Sequence, residues 1–267
     1  SGQLNVSVAL WINGYKDRID ALLDAWVDTI VLDTAHGLQP NMIKAIKEVR
    51  SIVWNDIQII AGNIITSDGA KRLTDAWANG LKVGIWPGAM CTTRMQTGVG
   101  RPQFSAIKEC ADAIKDRKWT FVIGDGGIKN PRDLELALAA WATHGMIGSI
   151  LAGTHESTWD IKYDENNKAY KESHGMASWK AVLNRNSTLS AFEQAQRNLF
   201  QEGISTSRVY MKAWRESVWN LLDEFTTWLR STIAYTWANN LPDFQEKAIV
   251  GLQTNAWFQE WKPHTKL

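Results

Sequence analysis

Six short apolar runs punctuate residues 6 to 149, each closed by glycine or a small polar residue, and they constrain the fold more than any other feature. They are VSVAL from Val6, TIVLDT from Thr29, QIIAGN from Gln58, LKVG from Leu81, TFVIGDGG from Thr120 and GMIGS from Gly145. Helical patterns lie between them: Met42, Ile46, Val49 and Val53 share one face, as do Phe104, Ile107, Ala111 and Ile114. Strand alternating with helix predicts a parallel sheet with both faces covered. Most successive strands start about 25 residues apart, the spacing of the βα units of a barrel. A Rossmann-type open sheet is the rival, but no GxGxxG follows the first strand. The expected fold class is therefore α/β, a (β/α)8 TIM barrel with six of its eight units present and two missing before the first strand.

The interval after Leu81 is much longer than the others and contains VGIWPGAMCTTR, residues 83 to 94. In a βα barrel the chemistry sits on loops that follow the C-terminal ends of the strands. Asp33, Asn63, Cys91, Asp125 and Ser149 should then converge on one mouth. Past Gly153 the rhythm changes: IKYDENNKAYKE predicts a hairpin turning at Asp164 to Asn167. Residues 154–203 read as a polar flap. Glu216 to Arg230 has a helical pattern, and LPDFQEKAIVGLQ is expected to end in a last short strand. No linker divides the chain, so residues 1–267 are read as one catalytic barrel domain.

With 29 Lys plus Arg against 28 Asp plus Glu, the chain has no field that would recruit nucleic acid or an anionic membrane surface. A small-molecule partner is expected instead. Cys91 and Cys110 are the only cysteines, which fits a reducing compartment. No secretory signal opens the sequence and no apolar run approaches the roughly 20 residues of a membrane span, so a cytoplasmic location is expected. His36, His144, His155, His174 and His264 form no local metal motif.

Cys91 lies on a glycine-containing loop, where backbone N–H groups favour the reactive thiolate. The alternative for a free cysteine is a small buried hydrophobe, which is the reading for Cys110 on its helix. The loop position favours a nucleophile for Cys91. Asp125-Gly126-Gly127 ends a strand and suits ribose hydroxyls and phosphate, a tight turn with a solvated aspartate being the alternative. Gly148 and Ser149 end the next strand and could complete the same phosphate cup.

Together VLDTAHG, IIAGN, VGIWPGAMCTTR, TGVGRPQ, DGGIK, GSILAGTHES, HGMAS and RSTIAYTWA resemble the IMP dehydrogenase and GMP reductase family, in order through nearly the whole chain. The resemblance implies a βα barrel whose first two strands, and often a regulatory CBS pair, precede the point where this sequence starts. It implies Cys91 as the nucleophile at C2 of the purine, with Thr93 and Glu202 as the proton-transfer pair. Asp125 would hold the ribose hydroxyls, Gly127, Gly148 and Ser149 the 5′-phosphate, and Gly175 and Met176 the base from the flap, with Gly126 and Met146 also among the substrate-binding residues. Asp33 and Asn63 would face the nicotinamide cofactor. Backbone carbonyls of Trp86, Gly88 and Cys91 match the family's potassium site, with Glu260 of the partner subunit as a further contributor to it. A homotetramer is implied.

Dehydrogenases of this family carry an Arg-Tyr pair in the flap to activate water; NSTLSAFEQAQRNLF offers Ala191 and Phe192 there. The branch implied is therefore the NADPH-dependent reduction of GMP to IMP and ammonia, the alternative being NAD-dependent oxidation of IMP. An aromatic-rich binding module and an inactive relative are the remaining readings.

Fifteen tryptophans need their own account. Trp26, Trp77 and Trp141 stand in DAWVD, DAWAN and AAWAT, each just after a helix, where a positive φ and glycine are usual. By resemblance the same holds for Trp86, Trp159, Trp237, Trp257 and Trp261, whereas Trp54 and Trp179 are harder to place. A tryptophan in the left-handed region costs on the order of 1 kcal/mol. The pattern predicts that UGA codons, which specify glycine in a variant code, stand here as tryptophan.

Overall fold

The computed structural model describes residues 5–53, 56–175 and 207–263. Its first half is one six-stranded, all-parallel sheet: β1 (Ser7–Leu10), β2 (Thr29–Asp33), β3 (Gln58–Ile64), β4 (Gly80–Val83), β5 (Phe121–Asp125) and β6 (His144–Met146). The strands lie side by side in chain order, β1-β2-β3-β4-β5-β6. Sequential order is what a barrel wall requires; a doubly wound sheet would reverse direction at a switch point. The six strands form a half-barrel, and among the described residues β1 and β6 each pair on one side only.

Helices α1 (Lys16–Asp24), α2 (Pro40–Val53), α3 (Ser67–Asp75), α4 (Thr93–Thr97), α5 (Gln103–Ile114) and α6 (Pro131–Ala139) fill the connections. Local chemistry starts them where the sequence implies. Thr66 caps α3 by accepting the Gly69 N–H at 3.2 Å, and Asn130 caps α6 by accepting the Asp133 N–H at 3.2 Å, with Pro131 at the first position. Met42, Ile46, Val49 and Val53 of α2 are buried against Ile30, Leu32 and Ile59 of the sheet in one continuous core. From α5 the core takes Ile107, Ala111 and Ile114, with Phe104 half-buried at its margin.

The predicted hairpin forms from β7 (Ile161–Tyr163) and β8 (Ala169–Ser173), turning through Asn167 at φ 59°. Asp164 tightens the turn by accepting the N–H groups of Asn166 and Lys168, both at 2.9 Å. A third strand, β9 (Ser207–Tyr210), adds to β8 from beyond the flap. Buried Lys171 on β8 donates to the carbonyls of His155 (3.1 Å) and Ser157 (2.7 Å), tying this small sheet to the loop after β6.

Helix α7 (Val218–Tyr235) starts two residues later than the Glu216–Arg230 pattern and runs further. Ser217 caps it, and the Glu156 carboxylate accepts from both Ser217 Oγ (2.7 Å) and Val218 N–H (3.0 Å). Those hydrogen bonds, with Ser217 the larger influence, lower the Glu156 pKa to about 2. Helix α8 (Leu241–Lys247) follows, and its buried Gln245 donates to the carbonyls of Leu138 (3.1 Å) and Ala142 (2.9 Å) at the end of α6. The short strand expected at the end of LPDFQEKAIVGLQ does not form: after α8 the chain is irregular up to α9 (Asn255–Glu260). Ile249 and Leu252 there are fully exposed, so the apolar run buries against no sheet edge among the described residues.

Backbone angles bear out the reading of the helix-end tryptophans. Seven non-glycine residues have positive φ among those described, and six are tryptophan: Trp26 (58°), Trp77 (77°), Trp86 (53°), Trp141 (73°), Trp214 (68°) and Trp237 (56°). Trp214 was not among the residues singled out from sequence. Trp159, Trp257 and Trp261 do not share the geometry; Trp257 lies inside α9 and Trp261 ends it at φ −68°.

Candidate active site

The residues expected to carry chemistry lie at the C-terminal ends of the parallel strands. Asp33 ends β2, Asn63 lies near the end of β3, and Asp125 ends β5. They are joined by a residue that the motifs did not flag. Lys82, in the middle of β4 and 4% exposed, reaches Asp33 Oδ2 at 2.9 Å and Asp125 Oδ2 at 3.3 Å. Asn63 Nδ2 donates to the same Asp125 oxygen at 2.6 Å and to the Gly84 carbonyl at 2.7 Å. Asn63 Oδ1 is buried with no hydrogen-bond partner among the described residues. A buried acceptor left open in this way calls for a partner.

Close approach of backbone makes this junction possible. Gly84 has φ +147°, and a Cβ there would fall 2.4 Å from the Asp125 carbonyl oxygen. Gln103, at the start of α5, fastens the same two strand ends by donating to the carbonyls of Val83 (2.6 Å) and Asp125 (3.2 Å). Gln103 belongs to TGVGRPQ, yet its role depends on the distance between strand ends, which no local pattern records.

The loop after β4 brings the thiol to this region. Cys91 is half-buried, its N–H donates to the Gly88 carbonyl at 3.2 Å, and its thiol donates to the hydroxyl of buried Thr93 at 3.3 Å. Arg94 pins the loop, Nε to the Ile85 carbonyl and Nη2 to the Arg101 carbonyl, both at 2.7 Å. Pro87 lies against Gly126 and Gly127: a Cβ on either glycine would approach it to 3.2 and 3.3 Å. Both glycines have positive φ, +80° and +79°, which favours glycine at each. The cysteine loop and the DGG turn are thus neighbours. Cys110 has the other fate: it is buried in α5, desolvation first and Glu109 second push its pKa up to about 12, and it serves as a core residue.

Met146 ends β6 with its carbonyl accepting the Gly126 N–H at 3.3 Å. Gly148 and Ser149 follow on an exposed turn, and a Cβ on Gly148 would meet nothing within 4 Å. Gly175 is half-buried just past β8, while Glu260 is exposed at the end of α9. Met176 and Glu202 lie outside the described residues. Among the described residues no cluster of His, Cys, Asp and Glu could hold a metal ion, and no helix is long and apolar enough to cross a membrane. A cavity of 130 Å³ lies behind Gly126 and Gly127, between Ile107, Ile128 and Ala137. It is below the roughly 300–1,000 Å³ of a ligand pocket, so the open face above the strand ends is the better candidate.

Comparison with known proteins agrees with this arrangement. Residues 1–264 match the model of the IMP dehydrogenase / GMP reductase domain. A protein named GMP reductase from Mycobacterium tuberculosis (strain ATCC 25618 / H37Rv) is 47% identical over 264 residues, covering 98% of this chain and 55% of its own length. Inosine-5′-monophosphate dehydrogenases from Aquifex aeolicus and Bacillus subtilis are 37% and 35% identical, each over 98% of this chain and 52% of their own length. The chain thus spans about half the length of these relatives. Matched along almost its whole length, and with the strand-end acids, DGG turn and cysteine loop gathered on one face, the chain belongs to the IMP dehydrogenase / GMP reductase family.

Proposed function

We propose that this chain provides the nucleotide site of a GMP reductase, which turns GMP, NADPH and two protons into IMP, NADP⁺ and ammonium. The observation that carries the reading is the packing of Pro87, on the loop that also holds the Cys91–Thr93 pair, against the Gly126–Gly127 turn that follows Asp125. The Cys91 sulfur adds to C2 of the purine, and the bond from C2 to the exocyclic nitrogen breaks. Thr93, 3.3 Å from the sulfur, and Glu202 carry protons to the departing ammonia. A bound nicotinamide would supply the hydride for C2; Cys91 is the leaving group there and keeps the electron pair of the C–S bond.

Asp125 accepts from the ribose hydroxyls, and the bare N–H groups of Gly127 and the Gly148–Ser149 turn receive the 5′-phosphate, with Met146, Gly175 and Met176 along the nucleotide. The open Asn63 Oδ1 and the half-exposed Asp33 carboxylate fit a cofactor that brings amide and hydroxyl donors. Potassium on the carbonyls of Trp86, Gly88 and Cys91 would share the Gly88 oxygen with the Cys91 N–H. A homotetramer and a cytoplasmic location follow the same reading.

Oxidation of IMP is the second reading, supported by the dehydrogenases at 35–37% identity. Ala191 and Phe192, in place of the water-activating Arg-Tyr pair, weigh against it. Loss of NADPH absorbance on adding GMP, with release of ammonia, is the expected result. Reduction of NAD by IMP, with no oxidation of NADPH by GMP, would overturn it.

A further inference from the structure

All four residues of β4 are buried, so an ammonium there must be compensated by its surroundings. The sheet makes room for that compensation. Asp33, Gly62 and Lys82 sit in register on β2, β3 and β4, with the glycine between the two charged residues. A Cβ at position 62 would lie 2.5 Å from Lys82 Cβ and 2.6 Å from its carbonyl oxygen. The bare strand lets Lys82 lean across to Asp33 while also meeting Asp125, and Asn63 holds the same Asp125 oxygen. One oxygen of Asp125 is thereby committed to the protein; the other accepts no hydrogen bond among the described residues.

We propose that Lys82 is a positioning residue that binds the carboxylates of Asp33 and Asp125 into one junction, aiming Asp125 at the ribose hydroxyls and coupling that grip to the cofactor side. The inference rests on the nucleotide reading above. Two carboxylates turned toward a single buried cation would separate if the cation were removed, since neither has another charged partner among the described residues.

Lys82→Met keeps the length and removes the charge, while Lys82→Arg keeps the charge. Titration calorimetry on the full chain with GMP and with 2′,3′-dideoxy-GMP separates aim from mere support. GMP affinity should fall about ten-fold or more in Lys82→Met, with the dideoxy analogue changed by less than about two-fold and Lys82→Arg restoring part of the difference. Equal losses for both ligands, or none for either, would overturn the proposal. Gly62→Ala, which must push Lys82 aside, should reproduce the selective loss and serves if Lys82→Met does not fold. If the parent chain binds neither nucleotide, the nucleotide reading fails by itself. Crystal structures then decide for Lys82: carboxylates splayed apart in Lys82→Met support its role, and unmoved carboxylates refute it.

Backbone geometry carries a second inference, independent of the first. Six tryptophans occupy the left-handed region, which steric contact at Cβ closes to bulky residues. Three of them follow α1, α3 and α6, each directly after the alanine that forms the C-cap, in the helix-end position that glycine commonly fills. We infer that positions 26, 77, 86, 141, 214 and 237 are glycine in the functional protein, the tryptophans being UGA codons read with the wrong code. Mass spectrometry of peptides from the protein isolated from its source cells tests this. Peptides lighter by the difference between tryptophan and glycine at these positions, with UGA in the gene, are expected. Tryptophan masses, with UGG codons, would overturn it.

Discussion

Replacing the exposed left-handed tryptophans by glycine should stabilise the chain, against the general rule that large-to-small substitution weakens a protein. Trp26, Trp214 and Trp237 are 89%, 86% and 87% exposed, so removing them forfeits little buried apolar surface. Relief of the left-handed conformation contributes about 1–2 kcal/mol per site. The extra freedom of glycine in the unfolded chain offsets about 0.5–1 kcal/mol of that. A net gain of about 0.5–1 kcal/mol per site, roughly additive over three separate turns, comes to about 2 kcal/mol. For a domain of this size that raises Tm by roughly 4–8 °C. Trp77 is a poorer choice because it stacks on Trp119 with ring centroids 5.8 Å apart, a pairing worth about 0.5–1.5 kcal/mol. Trp228, 54% exposed inside α7, is the control: Trp228→Gly should lower stability by about 0.5–1 kcal/mol, because glycine is a poor helix residue. Differential scanning calorimetry of the triple variant and the control reads both signs. A triple variant that melts below the parent, as the control does, would refute the reasoning.

Other expectations follow from the same geometry. Cys91→Ala should lower GMP reduction by at least about 10³-fold while leaving the melting temperature near that of the parent, as steady-state kinetics and calorimetry would show. Iodoacetamide near pH 8 should label Cys91 and spare Cys110, whose thiol is buried and titrates only near 12; peptide mapping that finds equal labelling would contradict the burial. The Glu156 pKa is lowered in the folded state from 4.5 to about 2, so its cap on α7 contributes fully above the unfolded value and is lost as pH falls from about 4.5 toward 2. Thermal scans should show the stability difference between parent and Glu156→Gln shrinking across that window, and a constant difference would reject the cap.

Much of this arrangement is legible along the chain because its causes are local. The alternation of apolar runs with 3.6-residue periodicity specifies β1 to β6 and the helices between them, as the buried face of α2 shows. The DGG turn and the position of Cys91 are equally local, since each depends on a few neighbouring φ values and side chains. The positive φ at Trp26, Trp77 and Trp141 is also readable, because the position just past a helix C-cap commonly turns left-handed to satisfy the last carbonyls.

What the sequence could not decide are contacts made across strands or across long intervals. Lys82 reads as one charge inside LKVG, and only the register of β2, β3 and β4 places Gly62 beside it and Asp33 beyond. Gln103 acquires its role only when β4 and β5 bring two carbonyls within reach of one amide. The pairing of β9 with β8 joins residues more than 30 apart in the chain, and the apolar run of residues 248–252 resembles a strand but pairs with none among the described residues. Local propensity sets the conformation each segment prefers; which charges face one another, and whether a strand finds an edge, is set by hydrogen-bond register and burial that exist only once the sheet has formed.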